Sequence, residues 1–257
     1  MDALLSRILK YLNGALFCDD YYRFCTYLVD HYLELLEREV TQEEVVRGAK
    51  IQDEQHMLDF MHRLTCTTGW EAFQKILIQH HMVRLDQIRG RMVGLRAKDI
   101  VAEMKKDVSD EEMLAHVSMI CEEIDRHERI VLIGALYPMS IAVEFQTDLI
   151  IFGKNVVQFH SFDPDMEFSE KDLVIFISAT GRAMNGFLAS RGDLHPERAH
   201  SLLITQNPVY TMEEHKVSDH VLKLPGRFDG LRFNQQLMQI FDLLRIKYYQ
   251  QYYLGDG

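Results

Sequence analysis

Two hydroxyl side chains and a glycine follow a short apolar run in the second half of the chain. Ser178, Thr180 and Gly181 come directly after residues 173–177, which are all apolar. Such a run is typical of a strand covered on both faces. A helix beginning after this turn would direct unpaired N–H groups at an anion. The sequence therefore predicts a phosphate cradle. Arg182 is either a further phosphate ligand or an ordinary exposed arginine at the start of the helix.

Two further groups of side chains are candidates for chemistry. His160 and Asp163 follow the second predicted strand, near the edge where α/β sheets bind ligands; the alternative is a solvated loop capped by aspartate. Glu213, Glu214 and His215 follow the fourth predicted strand and are the acid/base group that a sugar isomerisation would need. Their segment is equally compatible with an exposed helix. The twelve histidines show no HxxxH pair with a supporting cysteine or carboxylate pattern, so neither a metal site nor a cofactor is expected.

Helical spacing of apolar residues dominates the chain up to about residue 127. Residues 41–44 form a capping box before a short helix, Asp53 caps a helix over 53–64, and residues 68–71 form a second capping box. Short helices separated by tight turns are typical of a helix-turn-helix module. A plain bundle of four or five helices would give the same pattern.

The period of the apolar residues changes at about residue 129. Strand-like runs then alternate with helical stretches, at 130–133, 156–159, 173–177, 202–204 and 221–224. This alternation predicts βαβ units and a five-stranded parallel sheet in a three-layer α/β domain. The predicted organisation is an all-α domain over 1–80, a polar and basic connector over 81–107, and an α/β domain over 108–257.

Composition and charge restrict the class of protein. The 257 residues carry a net charge of −11, which argues against non-specific affinity for nucleic acid. The four cysteines form no CxxC pair, which favours reduced thiols in a cytoplasmic protein. Residues 1–16 have the pattern of an amphipathic helix and not of a signal peptide, and no apolar run has the roughly 20 residues of a membrane span.

The order of these parts resembles the RpiR-type (MurR/RpiR) family of bacterial transcription regulators, which join a helix-turn-helix domain to a SIS (sugar isomerase) domain that senses a phosphosugar. The segment from Ile177 to Gly181 resembles the I-S-x-S-G-x-T phosphate loop of that family. Gly134 resembles the first glycine of its G-x-G-x-S loop, and residues 218–222 resemble the end of its sensor domain. The resemblance implies that the two loops hold the phosphate and the sugar hydroxyls, and that the protein forms a homodimer or homotetramer.

The first loop departs from the family pattern. Leu136 stands where the family has its second glycine and Pro138 where it has serine, so a permissive backbone position and a hydroxyl are both lost. Ser140 lies two positions later and is the candidate that would compensate. The expected phosphosugar-binding residues are those of the two loops: Gly134, Ser140, Ser178, Thr180, Gly181 and Arg182.

The predicted recognition helix also departs from the family pattern. DNA-reading helices present hydroxyl and basic side chains, whereas residues 52–63 carry three carboxylates and a single arginine. The candidate DNA contacts are Gln52, Gln55, His56 and Arg63, with residues 84–98 as a basic stretch for phosphates.

The sequence and the resemblance together predict a cytoplasmic transcription regulator that binds DNA through its helix-turn-helix and a phosphosugar through its SIS domain. No catalytic residue, cofactor or membrane contact is expected. Two alternatives stay open: a phosphosugar isomerase, and a degenerate SIS-domain sensor or interaction protein without DNA binding.

Overall fold

The computed structural model describes residues 4–255, apart from the side chain of Leu136. The outermost residues of the predicted domains, 1–3 and 256–257, lie outside this range. The α-helices are α1 Leu4–Gly14, α2 Asp20–Asp30, α3 Tyr32–Glu37, α4 Gln42–Gly48, α5 Glu54–Thr65, α6 Trp70–Met92, α7 Ala97–Glu103, α8 Asp110–Arg126, α9 Leu136–Ile151, α10 Arg182–Ser190 and α11 Gly230–Tyr248. The strands are β1 Arg129–Gly134, β2 Asn155–Gln158, β3 Asp172–Ile177, β4 His200–Thr205 and β5 His220–Lys223.

The described chain divides into two compact units. The helical unit comprises the residues up to 93 together with 147–155 and 160–165, and the sheet unit comprises the remainder. The prediction of an all-α part followed by an α/β part with a five-stranded parallel sheet is confirmed.

The core of the helical unit is built on aromatic side chains. Phe24, Trp70 and Phe73 are fully buried, and the rings of Phe24 and Phe73 lie 5.8 Å apart. Trp70 Nε1 donates to the carbonyl oxygen of Val40 at 2.6 Å, so its polar atom is satisfied inside the core. The helices of this unit are therefore held by one apolar centre, as their helical spacing predicts.

Two of the three predicted helix starts have the expected cap. Thr41 Oγ1 accepts from the Glu44 N–H, and the Glu44 carboxylate accepts from the Thr41 N–H, so the capping box forms. The Asp53 carboxylate accepts from the Gln55 N–H at 2.9 Å. The predicted box at 68–71 is wrong, because the N-cap of α6 is Gly69 at φ +93° and no side chain caps the helix.

The predicted connector at 81–107 is largely helical. Helix α6 runs without a break to Met92 and α7 occupies Ala97–Glu103. The expectation that residues 84–98 present a basic surface is wrong at its first residue. Arg84 is 5% exposed and donates from Nε and Nη2 to Asp148 Oδ1 at 3.1 and 2.5 Å.

The sheet has the strand order β2-β1-β3-β4-β5. Chain connections therefore run in one direction from β1 to β2 and in the other from β3 to β5. Because β-crossovers are right-handed, this reversal places α9 and α10 on opposite faces of the sheet. The reversal also creates a switch point between β1 and β3, where their carboxyl ends leave a crevice.

The central strand β3 is buried along its whole length, as its apolar run predicts. At its amino end, Asp172 accepts from Arg129 Nε at 2.7 Å and from the Ser169 N–H at 2.7 Å. This ion pair between the buried Asp172 and the partly exposed Arg129 joins the first residues of β1 and β3, which are partners in the register of the sheet.

Within residues 4–255, no helix has the length and apolar character needed to cross a bilayer.

Candidate functional site

The loops that follow β1 and β3 meet at the switch point of the sheet. Gly134, the last residue of β1, pairs with Ile177, the last residue of β3. The Ser178 N–H then donates to the carbonyl oxygen of Ile204 in β4 at 3.0 Å. The structure therefore brings together the two predicted ligand loops, which are more than 40 residues apart in the sequence.

The hydroxyls of the second loop hold the first amides of α10. Ser178 Oγ accepts from the Ala183 N–H at 3.2 Å, and Thr180 Oγ1 accepts from the Arg182 N–H at 3.3 Å. Both hydroxyls act as acceptors here, so each keeps a proton that it can donate to an anion. The N-cap Gly181 supplies no side-chain cap of its own. The two hydroxyl protons are thus the donors that these bonds leave available at the start of α10.

The backbone of this loop is fixed by the residues that follow β4. The carbonyl oxygen of Ala179 accepts from Thr205 Oγ1 at 3.1 Å and from the Gln206 N–H at 3.0 Å. Asn207 Nδ2 donates to the carbonyl oxygen of Thr180 at 3.0 Å. These bonds use the carbonyl groups of Ala179 and Thr180, and they fix the backbone of the loop beside the end of β4.

Position 181 requires a glycine for two reasons, its backbone conformation and the close approach of a neighbouring side chain. Its φ is +84°, and a Cβ added there would lie 2.2 Å from the ring of Tyr210. Tyr210 is buried, and its hydroxyl accepts from Asn185 Nδ2 at 2.8 Å. Sequence reasoning missed Tyr210, because it lies in the short 3₁₀-helix Pro208–Thr211, outside any motif.

The first loop is crowded. A Cβ on Gly134 would lie 2.8 Å from Met139 Sδ and 2.9 Å from the carbonyl oxygen of Ile177. Pro138 is the third residue of α9, where its missing N–H removes a group that has no partner within the helix. Ser140 is exposed and is the fifth residue of α9, beyond this first turn.

Arg182 is an exposed residue whose side chain stays close to the loop. Its Nε donates to Thr180 Oγ1 at 3.3 Å. The guanidinium therefore lies beside the hydroxyl that is expected to bind phosphate, and it supplies a positive charge at the start of α10.

The candidate acid/base groups lie outside the loop Ser178–Arg182. Residues Glu213–His215 form an exposed 3₁₀-helix. His160 belongs to the helical unit, where its ring lies 5.5 Å from that of Tyr22 and 5.2 Å from that of Phe162. Burial lowers the pKa of His160, against the opposing effect of Asp163. These contacts make His160 part of the aromatic packing of its own unit.

The exposed side of α5 is engaged in local acidic contacts. Gln55 Nε2 donates to Asp59 Oδ1 at 2.7 Å, and His56 Nδ1 lies 3.2 Å from Asp20 Oδ2. Burial alone would raise the pKa of Asp20. Hydrogen bonds from the N–H groups of Gln52 and Asp53 and from His56 outweigh this effect and hold it below its usual value. A carboxylate is therefore fixed next to two of the predicted DNA contacts.

Arg63 is exposed near the end of α5. Glu54 and Asp59 are exposed on the same helix, so the surface offered by α5 is net acidic. This is the reverse of the charge that attracts a phosphate backbone.

No protein-family model matches the chain, and no curated protein matches it in sequence. Three solved structures are similar to it over much of their length. Vibrio vulnificus NanR complexed with ManNAc-6P is 16% identical, with 97% of this chain and 92% of that chain covered and a TM-score of 0.41. The sugar isomerase domain of an RpiR transcription factor from Sphaerobacter thermophilus is 16% identical, covering 55% of this chain and 83% of that chain, with a TM-score of 0.42.

A hypothetical protein of Methanococcus jannaschii, described with an inferred 3-hexulose-6-phosphate isomerase function, is 12% identical. The match covers 65% of this chain and 90% of that chain, with a TM-score of 0.45. At these identities and scores the comparisons assign neither a family nor an activity. The fold is given by the strand order and register of the sheet itself.

Proposed function

We propose that this protein is a sensor that binds a sugar phosphate at the switch point of its sheet, through the loop Ser178–Arg182. The observation that carries the proposal is the pair of hydroxyls at the start of α10, on Ser178 and Thr180, which accept from the first two helix amides and so keep their own protons for an anion. A helix N-terminus attracts anions through its unpaired N–H groups and its dipole. The side chain of Arg182 adds a charge that matches a phosphate.

The phosphate is bound mainly by one loop in this proposal. Gly134 brings the end of β1 beside the loop, but Met139 and the Ile177 carbonyl crowd it. Ser140, exposed on α9, stays the candidate of this first loop for contact with the sugar. A ligand whose phosphate supplies most of the binding free energy fits this arrangement better than one recognised along its whole length.

The proposal favours a sensor over an isomerase. Sugar isomerisation needs a base within hydrogen-bond reach of the carbon-bound proton. The groups of the second loop are hydroxyls, amides and a guanidinium, and Glu213–His215 is an exposed segment. Incubation with fructose 6-phosphate should therefore show no turnover, whereas conversion to another sugar phosphate would establish the enzymatic alternative.

Thr180→Ala tests the binding loop. Loss of the hydroxyl removes a donor to the phosphate and the acceptor that holds Arg182 Nε beside the loop, so calorimetry with fructose 6-phosphate should show roughly tenfold weaker binding, as for a hydrogen bond to a charged group. Ser190→Ala is the matched control, because its hydroxyl donates to the Gly186 carbonyl at the far end of α10. Equal affinities of Thr180→Ala and the unaltered protein would refute the assignment of this loop, and fructose itself should bind to neither.

The finer form of the proposal is a transcription regulator of the RpiR type, with a helix-turn-helix over 1–80, a connector over 81–107 and a SIS domain over 108–257. It would act in the cytoplasm as a homodimer or homotetramer. Helix α4 and helix α5, which five residues separate, support a helix-turn-helix. The predicted contacts Gln52, Gln55, His56 and Arg63 are all on or next to α5 and partly exposed or exposed.

The net acidic surface of α5 makes DNA binding the most readily tested part of this finer proposal. If α5 reads DNA, a gel-shift assay with genomic fragments should show binding that weakens steeply between 50 and 200 mM salt. Arg63→Gln should then reduce the affinity, whereas Arg47→Gln, which removes an exposed arginine of α4, should change it less. Absence of any shift at 50 mM salt would leave the sensor without DNA binding.

A further inference from the structure

Three side chains that are potential metal ligands meet at the amino end of the sheet, away from the phosphate loop. His200 is the first residue of β4, His220 is the first residue of β5, and Glu123 lies in the last turns of α8. One ligand atom from each residue lies within 4.8 Å of the other two. Sequence spacing predicted no metal site, because the residues are far apart in the chain and strand pairing alone brings the two histidines together.

The carboxylate of this cluster is buried and only half satisfied. Glu123 is 6% exposed, and its Oε1 accepts from Arg126 Nη1 at 2.8 Å. Its Oε2 is buried and accepts no hydrogen bond, and the same holds for His200 Nε2. A buried carboxylate oxygen without a hydrogen bond is costly, and the nitrogen atoms nearest to Glu123 Oε2 belong to the imidazoles of His200 and His127.

The spacing of these two atoms matches a tetrahedral site. Glu123 Oε2 and His200 Nε2 are 3.4 Å apart. Two ligand atoms at about 2.0–2.1 Å from a tetrahedral Zn²⁺ are separated by roughly 3.3 Å. A cation between them would therefore bind both atoms with little movement of either side chain, and His220 is close enough to supply the third ligand.

The residues around these three side chains are placed where they can orient the ring of His200. His200 Nδ1 lies 3.5 Å from Asp219 Oδ2, and Asp219 is itself fixed by the Ser201 N–H at 2.8 Å and by Ser201 Oγ at 2.9 Å. A carboxylate behind a metal-binding histidine orients the ring and presents the other nitrogen to the metal. The ring of His127 stacks on that of His200 at 5.4 Å, and its Nδ1 lies 3.7 Å from Glu123 Oε2.

We propose that Glu123, His200 and His220 form a binding site for one Zn²⁺ ion at the amino end of the sheet. Two imidazoles and one carboxylate are donors that suit zinc, and they are poorly suited to Mg²⁺ or Ca²⁺, which prefer oxygen ligands. The ion joins α8 to the two strands β4 and β5, and it gives Glu123 Oε2 the partner that it lacks.

A water molecule would supply the fourth ligand of the ion. His220 is only partly buried and also lines a cleft of about 460 Å³ beside α8 and β5. This cleft gives the ion a path to the site, and it lets a water molecule complete the tetrahedron. Because the cleft is bordered by both acidic and basic residues, including Glu112 and Lys223, the site is not a general acidic surface.

The test uses the full chain after treatment with EDTA. Calorimetry with ZnCl₂ in a non-chelating buffer should give one tight site per chain, and Co²⁺ should give the visible absorption of a four-coordinate ion. His220→Gln should weaken zinc binding by more than the 10–100-fold that loss of an outer-shell partner causes, and Asp219→Asn should weaken it within that range.

His215→Gln is the matched control, since it removes an exposed histidine from the same unit. It should bind zinc like the unaltered protein, and circular dichroism should confirm that His220→Gln is folded. Zinc should raise the Tm of the unaltered chain and of His215→Gln, but not that of His220→Gln. Equal zinc affinity of His220→Gln and His215→Gln, or no tight site in the unaltered chain, would overturn the proposal.

Discussion

Gly181 combines two requirements that no other residue type meets at this position. Its φ of +84° lies in the left-handed region, and the ring of Tyr210 occupies the space of a Cβ. The Tyr210 hydroxyl is held by Asn185 Nδ2, so the ring cannot rotate away without breaking a hydrogen bond. One glycine therefore lets the phosphate loop, the start of α10 and the tyrosine lie in contact.

Gly181→Ala should disrupt the loop. The left-handed conformation costs a non-glycine residue about 1–2 kcal/mol, and displacement of Tyr210 adds to this loss. Thermal unfolding should show a lower Tm, and calorimetry should show that fructose 6-phosphate no longer binds.

Gly186→Ala is the control on the same helix, because nothing lies within 4 Å of its added Cβ. It should stabilise the protein by about 0.4–1 kcal/mol, since alanine is the better helix former. If both alanine variants unfold at the same temperature, the contact with Tyr210 has no role.

Helix α6 carries a buried charge that only a specific partner makes tolerable. Arg84 and Asp148 are both almost fully buried, and two guanidinium nitrogens donate to the same carboxylate oxygen. A buried pair contributes little net stability, but removing one partner leaves the other charge uncompensated. The pair therefore fixes how α6 packs against residues 147–155 within the helical unit.

Arg84→Met should lower the free energy of unfolding by about 3–5 kcal/mol, because Asp148 is then buried without its partner. The double variant Arg84→Met with Asp148→Leu should recover most of this loss. Urea denaturation measures both effects.

Arg89→Met serves as the control. It removes an exposed arginine of the same helix, which lies 3.8 Å from Asp86, and the change should be below about 1 kcal/mol. A single Arg84 variant as stable as the Arg89 variant would contradict the burial of this ion pair.

Several histidines have a pKa below the ordinary value of the imidazole. Burial lowers the pKa of His81, and it lowers the pKa of His80 together with the nearby charge of Arg7. Burial also lowers the pKa of His160, although Asp163 opposes the shift. These groups take up protons more readily in the unfolded chain than in the folded one.

The stability of the protein should therefore fall in mild acid. Below the ordinary histidine pKa of about 6.5 the unfolded state binds more protons than the native state, so the free energy of unfolding rises with pH in this window. The Tm of the EDTA-treated protein should drop between pH 7.5 and 5.5.

His160→Phe should make this pH dependence shallower, since the ring contacts with Tyr22 and Phe162 can be kept while the titrating group is lost. His215→Gln, an exposed substitution, should leave the slope as it is. A Tm that is constant over this range would show that these histidines do not contribute to the pH dependence of stability.

The features that depend on near neighbours in the chain were predictable from the sequence. The apolar run 173–177 predicted the buried strand β3, and the alternation of periods predicted the parallel sheet. Thr41 and Asp53 cap their helices because a cap is a contact over two or three residues. The resemblance of residues 177–181 to a phosphate loop also depends on local order, and its role as a binding site stays a prediction.

The tertiary structure decided the contacts that join distant segments. It placed Tyr210 on Gly181, buried Arg84 against Asp148, and brought Glu123 to His200 and His220. Each of these contacts depends on strand register or helix packing, which the sum of many weak apolar contacts sets and which no single motif encodes. For that reason the sequence by itself determined the elements and one candidate loop, and only the folded chain determined which side chains surround that loop and which charges lie next to each other.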